Sequence, residues 1–479
     1  MAVRGGQAPR REGMIVGEGL VVLAERIFRA GLRAVDGEAV VRRALALCSG
    51  EGRPALLRVA GEERAMPENG RLALLSIGKA AAPMAAAAEA ALGAVLGEGI
   101  VITKEGHALP LRRCQVFEAG HPLPDAAGVA ATQAALAMVD RLGRDDLLLV
   151  LVSGGASALF VAPPPGLALA ELQTMTSALL ACGASIHELN TVRKHCSACA
   201  GGWLAARAAL ARIEALILSD VIGDDLATIA SGPVTPDPST FAEALEIVHR
   251  YRLRRSVPAA VVRHLEEGAG GRRPETPKPG AACFERVRST IVANNETARR
   301  AAAACAASLG FSTCEVADPL QGEARLAALN LVELARRVRR GEGPVREPAC
   351  LLAGGETTVV VRGKGRGGRN QECALAAVQG LAGMEGVALL CAGSDGSDGP
   401  TPAAGAVVTG ETRSQAEERH ADPRQFLARN DAYGFFARVG GHLITGPTRT
   451  NVMDLAILLL DRRAGAAGEA DPPPARVPA

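Results

Sequence analysis

Short, wholly apolar runs that stop at glycine turns constrain this chain more than any other feature. Leu72-Ala-Leu-Leu-Ser-Ile77 ends at Gly78, and Leu147-Leu-Leu-Val-Leu-Val152 ends at Ser153-Gly154-Gly155. Runs of this length are short for core helices and lack the alternation of a half-exposed strand, so they read as strands buried on both faces. The strand-like segments Gly99–Thr103 and Ala215–Leu218 extend the series. Helix-compatible stretches lie between and around them: Leu20 to Ala46, Ala80–Leu96, Ala126–Leu142, and about 170–183 and 197–210. This alternation predicts an α/β fold with a parallel sheet covered on both sides.

The stretch Glu266–Gly280, EEGAGGRRPETPKPG, is charged, rich in Gly and Pro, and aperiodic, as a linker is. A second α/β block follows. Its expected strands are Ser289–Val292, Ala349–Leu352, Thr357–Val361, Gly386–Cys391 and Ala406–Val408, with helices near 295–308, 322–340, 370–382 and 451–460. The expected organisation is a loose leader (1–17), a first domain (18–265), a linker (266–282), a second domain (283–463) and a disordered tail (464–479). Two such domains leave a cleft suited to small molecules.

Composition narrows the function classes. Basic and acidic residues number 53 and 51, so the basic surplus of a nucleic-acid binder is missing. Aromatics make up only 3%, which argues against base-stacking platforms. No span of 18 apolar residues reads as a membrane helix, and MAVRGGQAPRREG has no apolar signal core. Eleven scattered cysteines form no disulfide framework. These features predict a soluble cytoplasmic protein with no nucleic-acid or membrane partner, and leave its oligomeric state open, a homodimer included.

Several turns carry candidate chemistry. In Ser153-Gly154-Gly155-Ala156-Ser157, glycines let backbone amides approach an anion, a following helix adds positive potential, and two hydroxyls can donate. An ordinary strand-to-helix turn is the alternative, and no Walker A pattern occurs in the chain. Lys79 follows Gly78 at a strand end, where ligands of open α/β sheets bind. Only five of the 53 basic residues are lysines, so a surviving ammonium points to a role that a guanidinium does not fill; a solvated surface lysine is the alternative. Asp220 ends the run Leu216-Ile-Leu-Ser and is suited to accept a hydroxyl proton, to hold Mg²⁺, or to cap a helix.

In the second block, Gly363, Gly365 and Gly368 match GxGxxG between a predicted strand and helix, with Asp395 where a ribose-binding carboxylate belongs. That is the physical case for a dehydrogenase. Lys364, Arg366 and Arg369 fill the same loop and suit a transferring phosphate chain equally well. Asp395 and Asp398 lie in a Gly/Asp loop fitted to position substrate hydroxyls or to form turns. Cys196 and Cys199 make a CxxC that no second pair completes as a zinc site. His121, in Gly120-His121-Pro122, is placed to touch substrate, though its spacing names no partner.

Together these segments resemble the glycerate 2-kinase family, whose C-terminal part is the MOFRL domain and some of whose members carry the label hydroxypyruvate reductase. The resemblance runs in order from about residue 20 to 460. It comprises GKAAAPM (78–84), GHPLPD (120–125), LVSGGASAL (151–159), GASIHELNTVRKH (183–195) and LILSDVIGDDLATIASGP (216–233). It continues with GGETTVVVRGKGRGGRNQE (354–372), AGSDGSDGPTPAAGA (392–406), ARND (428–431) and LITGPTRTNVMDL (443–455).

The resemblance implies ATP-dependent phosphorylation of D-glycerate at its 2-hydroxyl, with Mg²⁺. It also implies a larger Rossmann-like N-terminal domain and a smaller α/β C-terminal domain containing the MOFRL region (about 349–460), with the site between them. Lys79, Asp220 and Arg369 fall at the family's functional positions, and Asp220 is the possible metal ligand. The nucleotide phosphates are expected near Ser153, Gly154, Gly155 and Ser157, with Asn190 and Lys194 close by. Arg366, Asp395 and Asp398 are expected to contact substrate, with Arg366 or Lys194 on its carboxylate. The competing reading is an NAD(P)H-dependent hydroxypyruvate reductase.

Overall fold

The computed structural model describes residues 19–50, 53–65 and 70–462; the predicted leader (1–17) and tail (464–479) lie outside them. Two six-stranded sheets organise the chain. The first runs, in spatial order, Cys114–Ala119, Leu96–Lys104, Leu72–Ile77, Leu147–Val152, Arg212–Leu218, Val287–Ala293, and every neighbouring pair is parallel. Along its central strands alternate side chains enter different cores. Leu74, Leu149, Leu151 and Leu216 pack on one face, and Leu75, Leu148, Val150 and Ile217 on the other. Both faces are therefore covered, as the unbroken apolar runs require.

Val287–Ala293, expected in the second block, is instead the edge strand of this first sheet. The stretch read as a linker is packed into the same unit. The helix Ala259–Ala269 reaches into it, and the buried Thr276 hydroxyl donates to Asp237 Oδ2 at 3.0 Å. Composition alone hid this, because a segment held by polar contacts has no hydrophobic period to read.

The second sheet is mixed and runs Ser312–Glu315, Ala349–Gly355, Asp454–Leu460, Val387–Gly393, Gly405–Thr409, His442–Leu443. Two expectations fail here. Residues 451–460, read as a helix, form the strand Asp454–Leu460, antiparallel to both neighbours. Its wholly apolar run fits either period, and two flanking strands decide the matter. Thr357–Val361 is not a strand: Val360 and Val361 are exposed at 46% and 74%, and the β-branched run has no sheet to join.

Smaller differences have local causes. The helical segment 20–46 breaks at Asp36, whose carboxylate caps a new helix, Gly37–Ala44, by accepting from Ala39 N at 2.9 Å. The chain then enters an unexpected three-stranded sheet, Leu45–Gly50, Arg53–Val59 and Glu62–Ala65. Of the helix expected at 197–210, only Trp203–Arg207 forms.

One core joins the two sheets. Leu74 and Leu149 from the first share it with Cys350, Leu352, Ile457 and Leu459 from the second, together with Ile27 and Phe28 of the helix Leu20–Ala34.

Candidate functional site

Three adjacent strands of the first sheet end at the same edge, and each leaves a polar residue there. Leu72–Ile77 leads to Lys79, Leu147–Val152 to the Ser153–Gly155 loop, and Arg212–Leu218 to Asp220. Close packing forces the glycines. Gly78 has φ +121°, and a Cβ there falls 2.3 Å from Ser153 Oγ. A Cβ on Gly154 falls 2.3 Å from Asp220 Oδ2, and one on Gly155 falls 3.2 Å from both His121 Nε2 and Lys79 Cγ.

The second sheet faces this edge with three residues set by strand register. Asp454 begins the central antiparallel strand and lies level with Gly355 on one neighbour and Gly393 on the other. Glu356 and Asp395 follow those two glycines closely, so reversing the middle strand gathers three carboxylates at one end. Arg369 opens the helix Arg369–Leu381 and reaches into the group. Its Nε and Nη2 donate to Asp454 Oδ2 and Oδ1 at 2.5 and 2.9 Å, and its Nη1 lies 2.7 Å from Glu356 Oε1.

Two contacts close the gap between the sheets. Lys79 Nζ donates to Asp395 Oδ2 at 2.7 Å, and Asn451 Nδ2 donates to Asp220 Oδ2 at 3.1 Å. His107 braces the lysine from behind, its Nδ1 at 3.1 Å from the Lys79 carbonyl.

The electrostatics follow from this crowding. Burial pushes the Asp220 carboxyl up to about 6, with Lys79 opposing and Glu356 adding to the rise. Burial likewise raises Glu356, against the pull of Arg369. At Asp395 burial also resists ionisation, but the Lys79 ammonium outweighs it and holds the carboxyl below its usual range. Burial lowers His121 to about 4, helped by Lys79 and Lys104, so its ring is neutral at physiological pH. Burial works against the Arg369 charge as well, yet Asp454 and Glu356 fix it as a permanent cation.

The other expected residues divide. Ser153 is buried, and its hydroxyl accepts from Ala80 N at 3.0 Å; the Gly154 carbonyl accepts from Lys79 N at 2.9 Å, and the Gly155 amide donates to Asp220. These groups of the loop therefore hold Lys79 and Asp220 together. Ser157 lies 3.0 Å from Ser231 Oγ, which donates to Asn190 Oδ1 at 3.1 Å.

Lys194 is committed elsewhere, buried with its ammonium 3.4 Å from Asp237 Oδ1. Asp398 is buried and accepts from Asn370 N and Gln371 N at 3.0 and 2.8 Å, so it caps the helix carrying Arg369. Arg366 lies over the Tyr433 ring, 4.8 Å from its centroid.

The GxGxxG match has a packing explanation. Cβ atoms on Gly363, Gly365 and Gly368 fall 2.2 Å from Arg429 O, 2.4 Å from Asp431 Cβ and 2.3 Å from Asp398 Cγ. The strand Ala349–Gly355 ends well before these glycines and no strand runs directly into them, so the tight strand–loop–helix cradle of a dinucleotide site is not formed. The two cysteines of the CxxC also behave as packing residues: Cys196 and Cys199 are buried, and burial pushes their thiols up to about 12 and about 11.

Sequence reasoning missed Glu356, Asn451 and Asp454. The available signal was a lone carboxylate directly before an apolar run, Asp454-Leu-Ala-Ile-Leu-Leu-Leu460, which the helical assignment concealed. Among the described residues, no three His, Cys, Asp or Glu are grouped to hold a metal ion. No described helix is long and apolar enough to cross a membrane.

Comparison with known proteins places the chain in a family. A family profile described as a domain of unknown function (DUF4147) matches residues 23–266, and the MOFRL family profile matches 349–454. The D-glycerate 2-kinase of Thermotoga maritima is 43% identical over 81% of this chain and 91% of its own length. An Agrobacterium vitis protein named provisionally as a hydroxypyruvate reductase is 41% identical, over 82% of this chain and 89% of its own length. A crystal structure of glycerate kinase from Thermotoga maritima superposes with a TM-score of 0.78 at 40% identity, covering 92% of this chain and 99% of that one. With both family profiles in order and curated kinases matching over most of their length, the chain belongs to the glycerate 2-kinase family.

Proposed function

We propose that the protein transfers the γ-phosphoryl group of ATP to the 2-hydroxyl of D-glycerate. The observation that carries this reading is Asp220. Its carboxyl titrates near 6 beside the Lys79 side of the site, and a second set of charged groups faces it from the other sheet. Phosphoryl transfer asks for positioning and charge compensation more than for covalent chemistry. Lys79 and Arg369 supply cations from the two sides of the gap. Asp220, ionised at neutral pH, orients the acceptor hydroxyl and takes its proton. Asp395, Asp454 and Glu356 hold the two cations in place before substrate arrives.

Four carboxylates (Asp220, Glu356, Asp395 and Asp454) meet two cations here, an excess of negative charge that a nucleotide phosphate cannot enter alone. That donor set fits a divalent cation such as Mg²⁺ arriving on the nucleotide, with Asp220 and Glu356 the residues to hold it. The cation supplies neutralisation of phosphate charge. Consumption of ATP fits a cytoplasmic location. Against the reductase, the GxGxxG glycines serve packing, and His121 is neutral, burial and Lys79 outweighing the pull of Asp395.

The test mixes protein, D-glycerate, ATP and Mg²⁺ and follows products by phosphorus NMR. The expected signal is 2-phosphoglycerate. A 3-phosphoglycerate signal removes the placement of the 2-hydroxyl at Asp220, and NADH oxidation on hydroxypyruvate with ATP untouched replaces the kinase by the reductase.

A further inference from the structure

The last turn of the helix Ile186–His195 carries Arg193, Lys194 and His195 in sequence. Two of them have anionic partners: Lys194 meets Asp237 at 3.4 Å, and His195 Nε2 meets Glu275 Oε1 at 2.9 Å. The Arg193 guanidinium has no hydrogen bond or ion pair with any described residue; the residue's backbone carbonyl accepts from Cys196 N at 3.1 Å. Burial alone acts on the side-chain charge, lowering its pKa, with no carboxylate opposing. The side chain is half-buried, and a guanidinium partly withdrawn from water with no counter-charge is suited to take up an anion.

What surrounds Arg193 identifies the anion. Its side chain lines a recess of about 40 Å³, together with Ser157, Ser231, Thr176, Cys196 and Pro124. No Asp or Glu lines this recess, so Arg193 is its one charged group. A lone guanidinium in so narrow a recess, beside the Ser157 and Ser231 hydroxyls, suits a compact anion such as a carboxylate. Ser231 is held there by a strained backbone, since Ala230 (φ +54°) and Ser231 (φ +57°) are consecutive left-handed non-glycine residues. Its hydroxyl is fixed in a chain running from Ser157 to Asn190.

The recess adjoins the reacting groups. Ser157 is two residues beyond Gly155, whose amide binds Asp220. Pro124 follows His121, whose ring lies against the Gly155 and Lys79 position and is influenced by both Lys79 and Arg193.

We propose that Arg193 binds the carboxylate of the acceptor substrate in this recess and so makes the protein specific for a small 2-hydroxy acid. The inference rests on the kinase reading given above. It replaces Arg366, which lies over Tyr433, and Lys194, which pairs with Asp237, as the carboxylate-binding group. A planar guanidinium suits a carboxylate through two parallel hydrogen bonds. With the carboxylate so held, C2 and its hydroxyl fall on the Gly155 side, toward Asp220.

The experiment compares wild type, Arg193→Lys and Arg193→Met, each checked by circular dichroism for native folding. Steady-state kinetics vary D-glycerate and ATP separately, and calorimetry measures binding of D-glycerate and of the uncharged amide D-glyceramide. For Arg193→Met the KM for glycerate is expected to rise about 10- to 100-fold, the range set by loss of charge-assisted hydrogen bonds, with the KM for ATP within twofold. The preference for acid over amide is expected to collapse in Arg193→Met and to survive in part in Arg193→Lys.

Active wild type with an unchanged acid preference in folded Arg193→Met overturns the inference and leaves the kinase standing. Wild type that binds glycerate through Arg193 without phosphorylating it keeps the inference and overturns the kinase. Wild type that neither binds nor phosphorylates glycerate overturns both.

Discussion

At the scale of single residues, the site is a set of charges whose protonation follows from crowding. Asp220 must be ionised to accept a proton, and burial moves its titration to about 6. Because the base form is the active one, kcat/KM is expected to fall about tenfold per pH unit below that point and to level off above it. In Asp220→Asn, kcat drops by about 10²- to 10⁴-fold and the acid limb disappears from the pH–rate profile. An unchanged limb in that variant assigns the titration to another group. Lys79→Ala removes the cation nearest Asp395, and a loss of about 10²- to 10³-fold in kcat is expected without loss of fold. Near-normal turnover in folded Lys79→Ala excludes the lysine from transfer.

Single elements explain how these residues are aimed. The helix Arg369–Leu381 has a glycine N-cap with no side-chain bond of its own, and Asp398 supplies the missing acceptor from a separate loop. Asp398→Ala therefore frees two backbone donors at a buried helix start, expected to cost about 1–3 kcal/mol in urea unfolding. Activity should fall with it because Arg369 is the helix's first residue; full activity together with lost stability separates the cap from the site. The strand Asp454–Leu460 matters as much. Read as a helix it carries no site residue, but as the antiparallel middle strand it brings Asp454 level with the residues preceding Glu356 and Asp395.

For the whole molecule, the two sheets share one core, and this makes a prediction about cooperativity. Phe28 is fully buried on the helix Leu20–Ala34, in the cluster that contains strand residues of both sheets. Phe28→Ala is expected to destabilise by about 3–5 kcal/mol and to lower a single calorimetric transition. Two separated transitions, with only one shifted, show instead that the sheets unfold independently. The shared core also fixes the distance across which Lys79 meets Asp395 and Asn451 meets Asp220, so the site depends on packing remote from it.

The sequence by itself determined the strands that are buried on both faces, because an unbroken apolar run ending in glycine has few other fates. It also pointed to Lys79 and Asp220 as polar groups at strand ends, and to both of them and Arg369 through the family resemblance. Tertiary structure alone decided the remainder. Asp454–Leu460 became a strand because two partners flank it, and Val287–Ala293 joined the first sheet because its open edge lay there. Asp398 and Lys194 are engaged by buried partners, and Arg193 stands out because no described residue pairs with its guanidinium. Whether a charged side chain is satisfied or waiting for a ligand depends on neighbours distant in the chain, and local sequence does not contain that information.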